Sequence, residues 1–290
     1  MSLAFFGTSE FGAAVLRSLV ERGRVKVSTV VSQPDRASGR GRRSGSPPVA
    51  DAARELGIDL LQPEDASASP PQAEAGIVVA FGQILRDPLL TAYPLFNLHP
   101  SHLPRWRGAA PVERAIMAGD PDTAVAVIGL VADLDAGPIY GMEPISIGDR
   151  DDAGAVRARA LELGVPLLEQ AAAGGLHPRP QSADGVTYAH KLTPQDRLLD
   201  WSRPAIELDR QVRALSPHIG ARMTLDDRDL TVWVARPLGD GPEPGVITEP
   251  LVIGCATGAL EVLELQPSGG RRMLAVDYLR GLRSPPERAA

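Results

Sequence analysis

The run Ile77-Val78-Val79-Ala80 has four consecutive apolar residues and no face left for water. A half-buried strand alternates between apolar and polar positions. An unbroken run belongs to a strand covered on both sides, as inside a parallel sheet flanked by helices. The neighbouring pattern fits that architecture. Leu3–Phe6, Val25–Val31, Leu95–Leu98 and Thr123–Leu130 read as further strands. Between them Phe11, Val15, Leu16 and Leu19 recur at helical spacing up to Gly23. Val49–Leu56 forms a helix stopped by Gly57, and Asp152–Ala173 a long one ending at Gly174-Gly175. Strand, helix and strand in repetition predict an α/β, Rossmann-like, mostly parallel sheet domain over residues 1–180.

The character changes after Leu176. The breaker cluster His177-Pro178-Arg179-Pro180 leads into an expected linker, 181–204. A helix carrying Ile206, Leu208, Val212 and Leu215 follows, and the pattern becomes β-rich from about Ala221. Candidate strands are Leu230–Val234, Gly245–Thr248, Leu251–Cys255 and Leu260–Leu265. Short strands separated by turns predict a small β-barrel, OB-like C-terminal domain over 205–290.

Composition removes several classes of function. Cys255 is the single cysteine, so no internal disulfide and no cysteine metal cluster can form. The longest apolar runs are far too short to span a bilayer, and the first apolar run is too short for a signal peptide. The expectation is a soluble protein of a reducing, cytoplasmic compartment, with no membrane association. A net charge of −6 requires any polyanionic partner to find a local positive patch. One exists on the segment from Gln33 to Ser46, where Arg36, Arg40, Arg42 and Arg43 face only Asp35 in sequence. The second domain offers no such excess, because residues 186–290 hold 13 basic and 14 acidic side chains.

Nucleotide motifs are incomplete. Gly7-Thr8-Ser9-Glu10-Phe11-Gly12 follows the first strand but lacks the middle glycine of a dinucleotide fingerprint, and Gly39–Ser46 lacks the P-loop lysine. His99 and His102 stand three apart, but Pro100 prevents helical presentation and no third ligand is evident, so no metal is expected. The chemistry points to Asn97 and His99 instead. Residues two apart in a strand project to one side, and an amide donor beside an imidazole suits a reaction that builds negative charge on a carbonyl oxygen. Asp135, on the turn Leu134-Asp135-Ala136-Gly137-Pro138, supplies a carboxylate suited to orienting that histidine.

Asn97-x-His99, Leu103-Pro104-Arg105-Trp106-Arg107-Gly108-Ala109-Ala110-Pro111 and Leu134-Asp135-x-Gly137 together resemble the folate-dependent formyltransferase superfamily. The resemblance continues through Phe6-Gly7-Thr8, Gln33-Pro34-Asp35-Arg36, Ala80-Phe81-Gly82-Gln83-Ile84-Leu85, Thr187-Tyr188-Ala189, Asp200-Trp201-Ser202 and Leu265-Gln266-Pro267. It implies transfer of the formyl group of 10-formyltetrahydrofolate to the α-amino group of initiator methionyl-tRNA, in translation initiation. It assigns catalysis to Asn97, His99 and Asp135. It lines the folate site with Phe81, Gly82, Gln83, Ile84, Leu85, Ser101, Leu103, Pro104 and Leu134, and gives the tRNA contact to Arg36, Arg40, Arg42 and Arg43. It also implies a monomer in bacterial or organellar translation, and with no transit segment in the sequence the expectation is the bacterial cytoplasm. His102, where leucine is usual, and Arg86, where proline is common, depart from the family pattern. A formyltransferase acting on an amino sugar nucleotide or a small amine, and an RNA-binding protein without enzymatic activity, are the competing classes.

Overall fold

The computed structural model describes residues 2–38, 43–282 and 284–289. In chain order the first elements are β1 (Ser2–Gly7), α1 (Glu10–Arg22), β2 (Lys26–Val31), β3 (Arg36–Ser38), β4 (Arg43–Gly45), α2 (Pro48–Glu55), β5 (Asp59–Leu61) and β6 (Ala75–Val79). Then come α3 (Leu89–Ala92), β7 (Leu95–His99), β8 (Arg107–Gly108), α4 (Pro111–Ala118), β9 (Asp122–Gly129), β10 (Ile139–Ser146), α5 (Ala153–Ala172) and β11 (Tyr188–Ala189). Contacts divide the chain into two units. The first comprises Met1–Pro111, Thr123–Ile145 and Arg157–Ala189, and the second Val112–Asp122, Ser146–Val156 and His190–Ala290.

The first unit is built on a seven-stranded sheet of order β10-β9-β7-β6-β1-β2-β5. The pairs among β7, β6, β1, β2 and β5 are parallel, whereas β9 runs antiparallel to β7. All five residues of β6 are buried, as its unbroken apolar run requires. Ser9 caps α1 by accepting from the Gly12 N–H at 3.2 Å, and Gly23 closes it in the left-handed conformation with φ 62°. A Cβ on Gly12 would stand 3.0 Å from the Val79 carbonyl oxygen, so the glycines of this first turn serve close packing of helix on sheet. At the other side of the sheet Gly164 lets α5 approach Leu98 and Val125, which an added Cβ would meet at 2.7 and 2.9 Å. Leu98 therefore packs toward α5, and its neighbours Asn97 and His99 are directed to the opposite face. The parallel strands β1, β6 and β7 end along one edge, where open α/β sheets collect ligands.

The second unit adds α6 (Ala205–Leu215), β12 (Ala221–Leu225), β13 (Arg228–Leu238), β14 (Ile247–Thr248), β15 (Val252–Gly254), β16 (Ala259–Pro267), β17 (Met273–Leu274) and α7 (Ala275–Arg280). Its sheet has the order β12-β13-β16-β15-β14, with β17 also on β16, and its pairings are antiparallel. Asp226 and Asp227, both at positive φ, make the two-residue turn between β12 and β13. Register shifts at Val232/Val234 and Val234/Ala235 bend the long β13. The short C-terminal tail links the two edges of the sheet, Ala289 bridging to Leu225 and Arg288 to Val246. Leu208, Val212, Leu215, Leu230, Val232, Leu260 and Leu265 fill the core between α6 and the sheet.

An ion pair anchors the start of this unit. Asp196 accepts from Arg114 NH1 at 2.6 Å and from the Thr193 N–H and hydroxyl at 2.7 and 2.8 Å. The Arg114 hydrogen bond chiefly holds the carboxyl down at about 2, below its ordinary 3.8. A folded-state value below the unfolded one stabilises the fold above pH 3.8, and that stabilisation is lost as pH falls toward about 2. Asp196→Asn should accordingly lower Tm at pH 7, and the gap to wild type should close as Tm is measured from pH about 4 downward.

Among the described residues no helix is long and apolar enough to cross a membrane.

Candidate active site

Asn97 and His99 leave β7 on the same face and meet Asp135. Asn97 Nδ2 donates to Asp135 Oδ1 at 3.2 Å, and His99 Nδ1 lies 3.6 Å from Asp135 Oδ2. The Gly108 N–H donates to the same Oδ2 at 2.8 Å. His99 Nε2 stands 2.9 Å from the Trp106 carbonyl oxygen. A carbonyl can only accept, so Nε2 carries the proton of that bond. Nδ1 is beyond hydrogen-bond length from Asp135 and is the ring nitrogen left to serve a ligand. An amide nitrogen has two hydrogens, and Asp135 takes one of those on Asn97, leaving the other for an acceptor. The His99 and Asp135 side chains are only 5% and 11% exposed, so polar interactions between them and a ligand are little screened by water.

The backbone is unusual here. Five described non-glycine residues have positive φ, and three of them are Ala80, Trp106 and Asp135, at 45°, 64° and 47°. Such conformations cost free energy and persist only where neighbours enforce them. For the Asp135 turn the enforcement is close backbone packing on β9, tight enough that a Cβ on Gly137 would fall 1.7 Å from the Gly129 carbonyl oxygen. For Trp106 it is a strap, residues 187–189. Thr187 Oγ1 accepts from the Trp106 N–H at 2.9 Å, the Thr187 carbonyl accepts from Arg107, and the Ala189 carbonyl accepts from Ala109. β8 pairs with β11 in parallel along this strap. Gly108, at φ 119°, has no room for a side chain against the Ala189 carbonyl.

The residues assigned to the folate wall fall into two groups. Ile84 and Leu134 are 75% and 60% exposed and present apolar surface to solvent. Phe81 and Leu103 are buried, Phe81 packing edge-on against Phe6 at 5.8 Å between ring centroids. Leu85 packs partly against the same cluster as Phe81, and Pro104 is half-buried. Gly82, at φ 79°, turns beside Gln33, whose Nε2 donates to the Phe81 carbonyl at 3.1 Å. Gln83 turns its amide inward, accepting from the Ala66 N–H at 3.0 Å and donating to the Pro63 carbonyl at 3.1 Å. Ser101 is wholly buried, and its Oγ has no hydrogen-bond partner among the described residues. The two departures from the family pattern have local answers. The Arg86 N–H donates to Ser67 Oγ at 2.9 Å, a bond proline could not make, and His102 is exposed.

Of the four arginines, Arg36 is exposed on β3, which pairs with β4 in a hairpin. Arg43 begins β4, and Arg40 and Arg42 lie outside the described residues. Sequence reasoning did not find the Trp106 carbonyl, the Gly108 N–H, Thr187 or Gln181 as parts of this site. The advance signals were the family segments Trp106-Arg107-Gly108 and Thr187-Tyr188-Ala189 and the glycine of the Asp135 turn, and none of them gave these groups a role.

The chain is similar to known proteins along nearly its whole length. The formyl transferase family matches residues 1–172, and the formyl transferase C-terminal domain matches 191–283. The methionyl-tRNA formyltransferase of Paracoccus denitrificans (strain Pd 1222) is 40% identical over 295 residues, 98% of this chain and 99% of that one. That of Halorhodospira halophila (strain DSM 244 / SL1) is 40% identical over 302 residues, 98% of this chain and 97% of its own. The crystal structure of HypX from Aquifex aeolicus in complex with tetrahydrofolic acid shares the fold at TM-score 0.66 and 17% identity, over 96% of this chain and 46% of that one.

Proposed function

The chain belongs to the formyl transferase family, and from that membership we propose that it transfers the formyl group of 10-formyltetrahydrofolate to the α-amino group of methionine on initiator tRNA. The observation that carries the chemistry is Asp135, whose carboxylate binds Asn97 Nδ2 and the Gly108 N–H beside His99. The near-full-length identity to methionyl-tRNA formyltransferases supports the acceptor.

When bound, the folate supplies an activated one-carbon unit. As the amine attacks that carbon, negative charge gathers on the formyl oxygen. The free N–H of Asn97 and the Nδ1–H of His99 stabilise it. Asp135 fixes the direction of the Asn97 amide and the Trp106 carbonyl that of the His99 ring, so little reorganisation is needed when the charge appears. The bond between the formyl carbon and the folate nitrogen then breaks, that nitrogen takes a proton from His99, and the ring recovers one from the attacking amine. The donor set fits this ligand: exposed apolar Ile84 and Leu134 suit a flat ring, and the Gly82–Leu85 backbone can read its polar edge. Ser101, Leu103, Pro104, Phe81 and Gln83 support that wall from behind, Gln83 by fixing the loop through its own amide.

The arginines at 36, 40, 42 and 43 engage the acceptor end of the tRNA, with Arg40 foremost. Arg40→Ala should raise the KM for initiator tRNA about tenfold or more, the loss of a charge-assisted phosphate contact, and leave the KM for the folate unchanged. Steady-state kinetics with each substrate varied in turn checks this, and an unchanged tRNA KM contradicts it. Residues 1–180 would carry catalysis and 205–290 further backbone contact with the tRNA, in a monomer working in the bacterial cytoplasm.

The test of the reaction is transfer of labelled formyl from 10-formyltetrahydrofolate to methionyl initiator tRNA, with an amino sugar nucleotide as competing acceptor. Label on the methionine α-amine is the expected result. Label only on the sugar, or tRNA binding without transfer, overturns the proposal.

A further inference from the structure

Gln181 lies outside every motif and touches both halves of the site. Its Nε2 donates to the Asp135 carbonyl at 2.7 Å and to the Gly137 carbonyl at 2.8 Å. Its Oε1 accepts from Arg107 at 3.1 Å through Nε and 2.7 Å through NH2. One half-buried side chain thus spans the turn that presents Asp135 and the loop whose Gly108 N–H binds the same carboxylate.

The arrangement answers a physical need. Asp135 sits at φ 47°, a conformation that a non-glycine residue abandons unless it is held. Steric exclusion at Gly137 limits where the turn can go, but it does not draw the turn toward Asn97. A donor that takes the carbonyls at 135 and 137 together fixes the peptide planes on both sides of the strained segment, and with them the direction of the Asp135 side chain. The acceptor end of the same amide holds the Arg107 guanidinium, which adjoins Gly108. We infer that Gln181 is a positioning residue that holds the Asp135 turn and the Arg107–Gly108 strand in register, and so sets the geometry of Asn97 and His99. This deepens the formyl-transfer reading and rests on it for its kinetic consequences.

The geometry separates two arms of the amide. Gln181→Met keeps length and bulk and removes all four bonds. Gln181→Glu keeps the acceptor for Arg107 but, ionised, cannot donate to the two carbonyls. Each variant should lower kcat by about tenfold or more with the KM of both substrates changed less than about threefold, because the loss falls on the transition state and not on binding. Asp135→Asn supplies the decisive background: if Gln181 acts through Asp135, Gln181→Met should cost much less there than in wild type. Amide hydrogen exchange over residues 133–137 should be about tenfold faster in Gln181→Met, with the rest of the protein unchanged. Wild-type turnover in Gln181→Glu overturns the inference. So does an undiminished loss in the Asp135→Asn background, or a fall in Tm with kcat and KM moving together. Should the wild-type protein transfer formyl to no acceptor, the functional reading fails and hydrogen exchange alone decides: faster exchange at 133–137 supports the clamp, and unchanged exchange refutes it.

Discussion

Asn97→Ala and His99→Ala should each cut turnover by about 10²–10³-fold, the usual consequence of losing one donor that stabilises a developing oxyanion, about 2.7–4 kcal/mol of barrier. The two losses arise differently. Removing the Asn97 amide deletes the N–H left unused by Asp135 and also leaves Asp135 Oδ1 short of a partner. Removing the His99 ring deletes Nδ1 and also the hydrogen bond that Nε2 makes to the Trp106 carbonyl. His99→Ala should therefore show a second effect that Asn97→Ala lacks, a loosening of the loop around Trp106 at φ 64°. Folate binding rests on the apolar wall and should stay within about threefold of wild type in both variants, since uniform binding and transition-state stabilisation are separable. Single-turnover transfer rates together with titration of a formyl-folate analogue measure the two quantities. Near-normal transfer rates in both variants would remove the assignment.

Gly137→Ala should have an effect of similar size from a single methyl group. The added Cβ would lie 1.7 Å from the Gly129 carbonyl oxygen and 2.8 Å from its carbon. Both are backbone atoms of β9, which no rotamer change can move aside. Either the strand or the turn must shift, and the turn is the weaker. Asp135 then leaves Asn97, His99 and Gly108. Overpacking of this kind costs about 1–3 kcal/mol, so Tm should fall by several degrees. Turnover should fall by about 10²-fold or more, as for loss of an oxyanion donor. Gly239→Ala is the control, since nothing lies within 4 Å of its Cβ position. Thermal unfolding and transfer rate of the two variants, measured side by side, check the contrast. Wild-type behaviour of Gly137→Ala would mean that the Asp135 turn is not held as described.

The sequence was legible where periodicity or capping speaks for itself. Ser9 and Gly23 marked both ends of α1, the unbroken run 77–80 identified the buried β6, and two-residue spacing placed Asn97 and His99 on one face. Sheet direction was not legible. β9 has the same apolar look as its neighbours, yet it runs antiparallel to β7, because burial and not direction sets that pattern. β10 passed unnoticed since most of its residues are only half-buried or exposed and show no alternation. α4 carried the signal of a proline at its first position, which sequence reading did not use. The candidate strand Gly245–Thr248 shortens to Ile247–Thr248, because Gly245, at φ 79°, turns the chain instead of extending it. Within the site the triad of side chains was readable, but its supports were not. The segment 181–189 acts through one side-chain amide, one hydroxyl and a two-residue strand, all shorter than any periodic pattern can reveal.

Asn97, His99 and Asp135 are proposed to surround one formyl group. A crystal structure with a non-reactive formyl-folate bound tests it most directly. The formyl oxygen should lie within hydrogen-bond reach, about 3.2 Å or less, of Asn97 Nδ2 and His99 Nδ1, with the ring system against Ile84 and Leu134. A formyl group seated away from both nitrogens, with Asp135 still bound to Asn97, would contradict it.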